Sequence, residues 1–140
     1  MNYVRITLVV AYFAFASSIA KAEDNAIDAR FGKCVDADST TTSMVECSYK
    51  AYDEWDNELN KNYSTLLTKL SPDQKTILRA SQRQWILYRD SEFKVIDAAY
   101  SHVSGTMYIP MRVNDRTEIV KDRALQLRSY ITLIEDDMSN

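Results

Sequence analysis

Residues 43–74 read SMVECSYKAYDEWDNELNKNYSTLLTKLSPDQ, and this stretch decides the fold class. Ser43-Met44-Val45-Glu46 has the S-x-x-E form of a capping box, which predicts a helix start. From there Tyr52, Trp55, Leu59, Tyr63, Leu66 and Leu70 recur at steps of three and four. At about 100° per residue these positions occupy an arc of about 80°, so the helix buries one narrow stripe. Ser71-Pro72-Asp73-Gln74 then combines a capping serine, a proline at the first helical position and a glutamine at N3. The first helix stops at Leu70 and a second begins almost without a loop, which predicts an antiparallel hairpin.

Outward from the hairpin, the second helix runs from Pro72 to about His102, with Leu78, Ser81, Trp85, Ile96 and Ala99 on one face. Gln82 and Arg89 fall on the same side. Gly105 and Pro110 bracket a stretch, residues 104–114, that reads as irregular. Asp115-Arg116-Thr117-Glu118 reads as another capping box, opening a third helix with Ile119, Val120, Leu127, Tyr130, Ile131 and Ile134 as its stripe and Arg123 in the middle. The expected architecture is all-α, a small antiparallel bundle of three main helices at about 43–70, 72–102 and 115–135. Composition agrees: 2 Gly and 2 Pro in 140 residues cannot supply the turns of a many-stranded sandwich or barrel. With 46% hydrophobic and 26% charged residues, one globular core is expected rather than a disordered chain.

The N-terminal segment reads as a targeting signal. Arg5 is followed by the apolar run Ile6 to Ala16, and Ala20-Lys21-Ala22 has the small-x-small form that signal peptidase cleaves. The apolar stretch is shorter than the roughly 20 residues of a spanning helix. Residues 1–22 are therefore expected to be a signal peptide and residues 23–140 a single exported domain, periplasmic or secreted. No cysteine follows the cut to accept a lipid, so no membrane anchor is expected after cleavage. Losing Arg5 and Lys21 leaves 15 basic residues against 20 acidic, a net charge of −5. An acidic surface attracts neither nucleic acid nor an anionic membrane, so neither is an expected partner. In an oxidising compartment Cys34 and Cys47 are expected to form a disulfide at the N-terminal end of the domain.

The side chains offer little chemistry. A C-x12-C spacing and the lone histidine, His102, fit no zinc site, so no metal or cofactor is expected. The acids of Asp53-Glu54-Trp55-Asp56-Asn57-Glu58 read as a solvated helix face that could steer a basic protein, not as a catalytic pair. No nucleophile–base pair stands out, and the chain is not expected to be an enzyme. Arg89 and Arg123 lie on apolar stripes and need partners. The hairpin register predicts Asp53 or Asp56 beside Arg89, and Asn60 opposite Gln82, as a polar seam between the first two helices. Tyr108 and Arg112, read as loop residues, are the expected contacts for a protein partner.

One set of motifs is more specific. Asp56, Leu59, Asn60 and Tyr63 form D-x-x-L-N-x-x-Y, and Gln82, Arg83, Trp85, Tyr88, Arg89 and Asp90 form Q-R-x-W-x-x-Y-R-D. Together with Arg123 and Leu127, in R-x-x-x-L, they resemble the LprI-like N-terminal domain family of small exported bacterial proteins, over about residues 34–130. The resemblance implies an all-helical domain whose motif residues are structural, and a lysozyme-binding inhibitor. It also implies that relatives often carry a second cysteine pair, at positions held here by Phe93 and Asp115. A different reading needs no lysozyme: a periplasmic interaction or immunity-type module with another protein partner and no catalytic activity. Neither reading fixes an oligomeric state.

Overall fold

The computed structural model describes residues 26–138, so the expected signal peptide lies outside the described residues. Four helices follow one another: α1 (Ala26–Ala37), α2 (Thr41–Lys69), α3 (Pro72–Tyr100) and α4 (Tyr108–Met138). The described residues contain no strand, in agreement with the all-α reading. The expected bundle of three becomes four because α1 was not anticipated. It runs antiparallel to α2, tied to it by the Cys34–Cys47 disulfide and by Arg30, whose guanidinium donates to Glu54 at 2.5 Å. In the chain-entropy picture, closing a loop of this size contributes about 3 kcal/mol.

The helix boundaries follow local capping chemistry. The α2 cap is Thr40, whose hydroxyl accepts from the Ser43 N–H at 3.3 Å; Ser43 itself lies in the first turn, so the anticipated box there does not form. The junction at Ser71 is as expected. Its hydroxyl accepts from the Gln74 N–H, the Gln74 side chain accepts from the Ser71 N–H at 2.9 Å, and Pro72 occupies the first turn. The largest correction concerns residues 104–114. Helix α4 begins at Tyr108, not Asp115, and Pro110 sits in its first turn, where a missing N–H leaves no intrahelical bond unmade. The true connection is residues 101–107, and Gly105 turns it at φ +123°, a region that favours glycine. At the other end α4 continues past the expected limit of about 135 to Met138, and Glu135 pairs with Lys69 at 2.8 Å.

The core is not the α2/α3 hairpin. Helices α2 and α4 form the principal pair, and they run parallel: Trp55 meets Lys121, Asn62 meets Ala124 and Lys69 meets Glu135. Along α2 the buried residues include Ser48, Trp55, Leu59, Asn62 and Leu66; along α4 they include Val113, Thr117, Val120, Arg123, Ala124, Leu127 and Ile131. With Ala51 added to the first series and Arg123 set aside from the second, both advance by threes and fours, the seam spacing of supercoiled helices. Tyr52, Tyr63 and Leu70, expected in the stripe, are only half-buried at its flank. Helix α3 leans on α4 in the antiparallel sense and buries one residue, Leu78. Tyr52 of α2 faces Phe93 of α3 with ring centroids 6.4 Å apart, within a turn of the expected register, but that interface is secondary.

Candidate functional site

The motif residues divide between two places. On α2, Leu59 is buried at the seam and Tyr63 packs beside it. Asn60, expected opposite Gln82, instead donates to the Asp56 carboxylate at 3.0 Å one turn earlier on its own helix. The acidic run is less free than a solvated face: Glu54 is tied to Arg30 and Glu58 to Arg128. Here the sequence reading is corrected, because α1 and α4 flank α2 where solvent was expected.

The other motif residues build a seam between α3 and α4. Arg123 is buried and donates from Nε to the Gln82 Oε1 at 3.1 Å, from Nη1 to the Gln126 Oε1 at 2.5 Å, and from Nη2 to the Ser81 hydroxyl at 3.2 Å. Its guanidinium lies 6.0 Å from the centre of the Trp85 ring, and that of Arg89 lies 5.4 Å from the same ring. Arg89 does not reach Asp53 or Asp56. It pairs with its neighbour Asp90 at 2.7 Å and extends over Phe93, 5.8 Å away. A polar seam therefore exists, but on α4, because α4 and not α2 is the close neighbour of this stretch of α3. Arg83 and Tyr88 are exposed.

Beside this seam lies a notch of about 240 Å³ lined by Trp85, Tyr88, Ile119, Asp122, Arg123 and Gln126. Arg123 is the one buried residue among the six. Burial pushes its guanidinium pKa below the ordinary value, with Tyr130 pulling the other way. No ion pair to Arg123 occurs among the described residues, so neutral oxygens alone accept from it.

The second place is the corner where α3 turns into α4. Tyr108 and Arg112 are there as expected, but on the first two turns of α4 and not in a loop. Tyr108 is half-buried with its ring edge-on to Tyr100, centroids 6.4 Å apart. Asp97 binds Arg116 closely and holds Arg112 at 3.9 Å, and the Tyr100 hydroxyl donates to Asp115 at 2.7 Å. These residues brace the corner. Exposed at this corner, alongside the polar Ser101, His102, Ser104 and Thr106, are Val103, Met107, Ile109 and Met111. Sequence reading passed over these four because it took Tyr108 and Arg112 to be the outward anchors. Among the described residues, no group of His, Cys, Asp or Glu is arranged to hold a metal.

The architecture is that of a small all-helical domain closed by one disulfide, with a braced corner and a notch as its surface features. Residues 34–127, from the first cysteine to the last core leucine of α4, match the family model described as lysozyme inhibitor LprI, and the chain belongs to that family. Among solved structures, a crystal structure of a Burkholderia thailandensis protein superposes with a TM-score of 0.72 and 27% identity over 80% of this chain. This chain spans 56% of that one. No curated protein matches it. No described helix is long and apolar enough to cross a membrane.

Proposed function

We propose that the chain is exported, loses residues 1–22, and acts as a lysozyme inhibitor through protein–protein contact, without catalysis. The observation that carries this reading is the family match, which covers the disulfide and most of the packed helices. Physical features support it. A domain of net charge −5 after cleavage is attracted to a basic enzyme, which raises the encounter rate at low salt. Val103, Met107, Ile109 and Met111 place exposed apolar side chains around the α3/α4 corner, the kind of surface that a protein interface covers, beside Tyr108 and Arg112.

The test is lysis of cell walls by lysozyme with and without the purified protein. Slowing at micromolar concentration is expected, together with weaker inhibition by Met107→Asp and Ile109→Asp at unchanged helix content. Tyr108→Ala with Arg112→Ala should weaken it too, through loss of the brace. No slowing at micromolar concentration overturns the reading. The longer Burkholderia chain favours a second reading, in which a similar helical unit serves as an envelope interaction module within larger proteins. Capture of a different envelope protein, with lysozyme unaffected, would establish it.

A further inference from the structure

We propose that the notch between α3 and α4 is a receptor for a single carboxylate, with Arg123 as the group that binds it. An arginine carries five N–H donors, and the bonds to Gln82, Gln126 and Ser81 use three, leaving one N–H on each terminal nitrogen. That remaining pair can serve the two oxygens of one carboxylate end-on, one of the two-bond arrangements guanidinium makes with carboxylates. The charge argument points the same way. A buried cation with no acidic partner is costly, and an arriving anion would supply what neutral oxygens do not. The walls suit a small planar group: Trp85 on one side, already flanked by Arg89, with exposed Tyr88 at the mouth.

Asp122 sets the selectivity. It lines the same notch, is exposed, and makes no ion pair with Arg123. Its charge opposes a dianion such as phosphate more than a monovalent carboxylate, which keeps the ligand class narrow. The carboxylate could come from an acidic side chain of a protein partner or from a peptide C-terminus; both present the same group. This inference stands whether or not lysozyme is the partner.

The purified protein, labelled with nitrogen-15, reports binding through the Trp85 indole resonance, while Trp55, buried at the α2/α4 seam, is the internal control. The probes are N-acetylglutamate α-methylamide for a side-chain carboxylate, N-acetylalanine for a chain terminus, and the glutamine analogue as neutral control. A saturable shift of Trp85 and the Gln126 side-chain amide is expected with one or both acids, and the stronger binder identifies the source. Asp122→Asn should tighten binding by about threefold, by removal of one like charge at the rim. Tyr88→Ala should weaken it without unfolding the domain. Arg123→Gln should abolish it; should that variant not fold, the Asp122 and Tyr88 variants decide. No shift with either acid up to about 50 mM, or an equal shift with the glutamine analogue, overturns the proposal.

Discussion

The Trp55 indole donates to the Asp28 carboxylate at 3.1 Å, and through that bond one buried ring joins three helices. Asp28 lies on α1 and its other oxygen pairs with Lys121 of α4 at 2.8 Å. The Lys121 ammonium in turn sits 5.6 Å from the centre of the same indole. A carboxylate, a cation and an aromatic face thus close a cycle over the largest buried side chain of the molecule.

Asp28→Ala should break this cycle in two places. The indole N–H loses its acceptor inside the core and Lys121 loses its closest counter-charge. An orphaned buried donor costs about 1–3 kcal/mol, which in a domain of this size lowers the Tm by about 4–12 °C. Thermal melts followed by circular dichroism check this, and an unchanged Tm would show the cycle to be idle.

Arg123 and Arg89 make a controlled comparison. Arg89 keeps a quarter of its side chain exposed and pairs with a half-exposed neighbour, the sort of ion pair worth about 0–1 kcal/mol. Arg123 is buried and crosslinks α3 to α4 through two hydrogen bonds, to Gln82 and Ser81. Arg123→Ala should therefore lower the unfolding free energy clearly more than Arg89→Ala, as read by parallel denaturant titrations. Equal effects would mean that the α3/α4 seam adds nothing beyond surface pairing.

Asn62 is buried at the parallel seam and donates to the Ala124 carbonyl at 3.0 Å. A polar residue at such a position fixes register at a cost in stability. Asn62→Leu should leave the Tm equal or higher, since the carbonyl sits within the α4 helix ladder, while Asn62→Ala should lower it by opening a void. A large loss with leucine would show the hydrogen bond itself to be stabilising.

Stability should fall on the alkaline side. Burial raises the Tyr52 phenol, helped by the charge of Asp56, and the hydrogen bond to Asp115 raises that of Tyr100. For Lys121, burial alone would lower the ammonium, but the Asp28 bond and the charges of Glu118 and Asp28 outweigh it and raise it. All three groups thus hold their protons more tightly folded than unfolded. Their contribution is fully present below about pH 10 and is lost as pH rises through the folded values. Melts between about pH 8 and 11.5 should show a Tm that falls above about pH 10, with tyrosinate absorbance delayed relative to the unfolded chain.

The legible parts of the fold were those governed by local rules. The Ser71-Pro72-Asp73-Gln74 junction and the disulfide depend on residues near one another in sequence, and the structure has them where the sequence placed them; of the α2 stripe Trp55, Leu59 and Leu66 are buried, while Tyr52, Tyr63 and Leu70 fall at its flank. The choice of partner for each helix is not local. Arg89 and Asp56 are level in the hairpin, yet the side of α2 that α4 occupies cannot be read from α2 alone, and so the polar seam was assigned to the wrong interface. Asn62 was overlooked although it falls between Leu59 and Leu66 at seam spacing, because an asparagine does not register as core. Pro110 misled more directly: proline reads as a break, but in a first turn it is tolerated. The exposure of Val103, Met107, Ile109 and Met111 follows from that helix start.

Along the 29 residues of α3 a single side chain, Leu78, is buried. The other helices would keep their mutual seam if α3 lifted away. Its central amides should therefore exchange with deuterium through a partial opening well below the free energy of global unfolding, while those of α2 and α4 wait for the whole molecule to come apart.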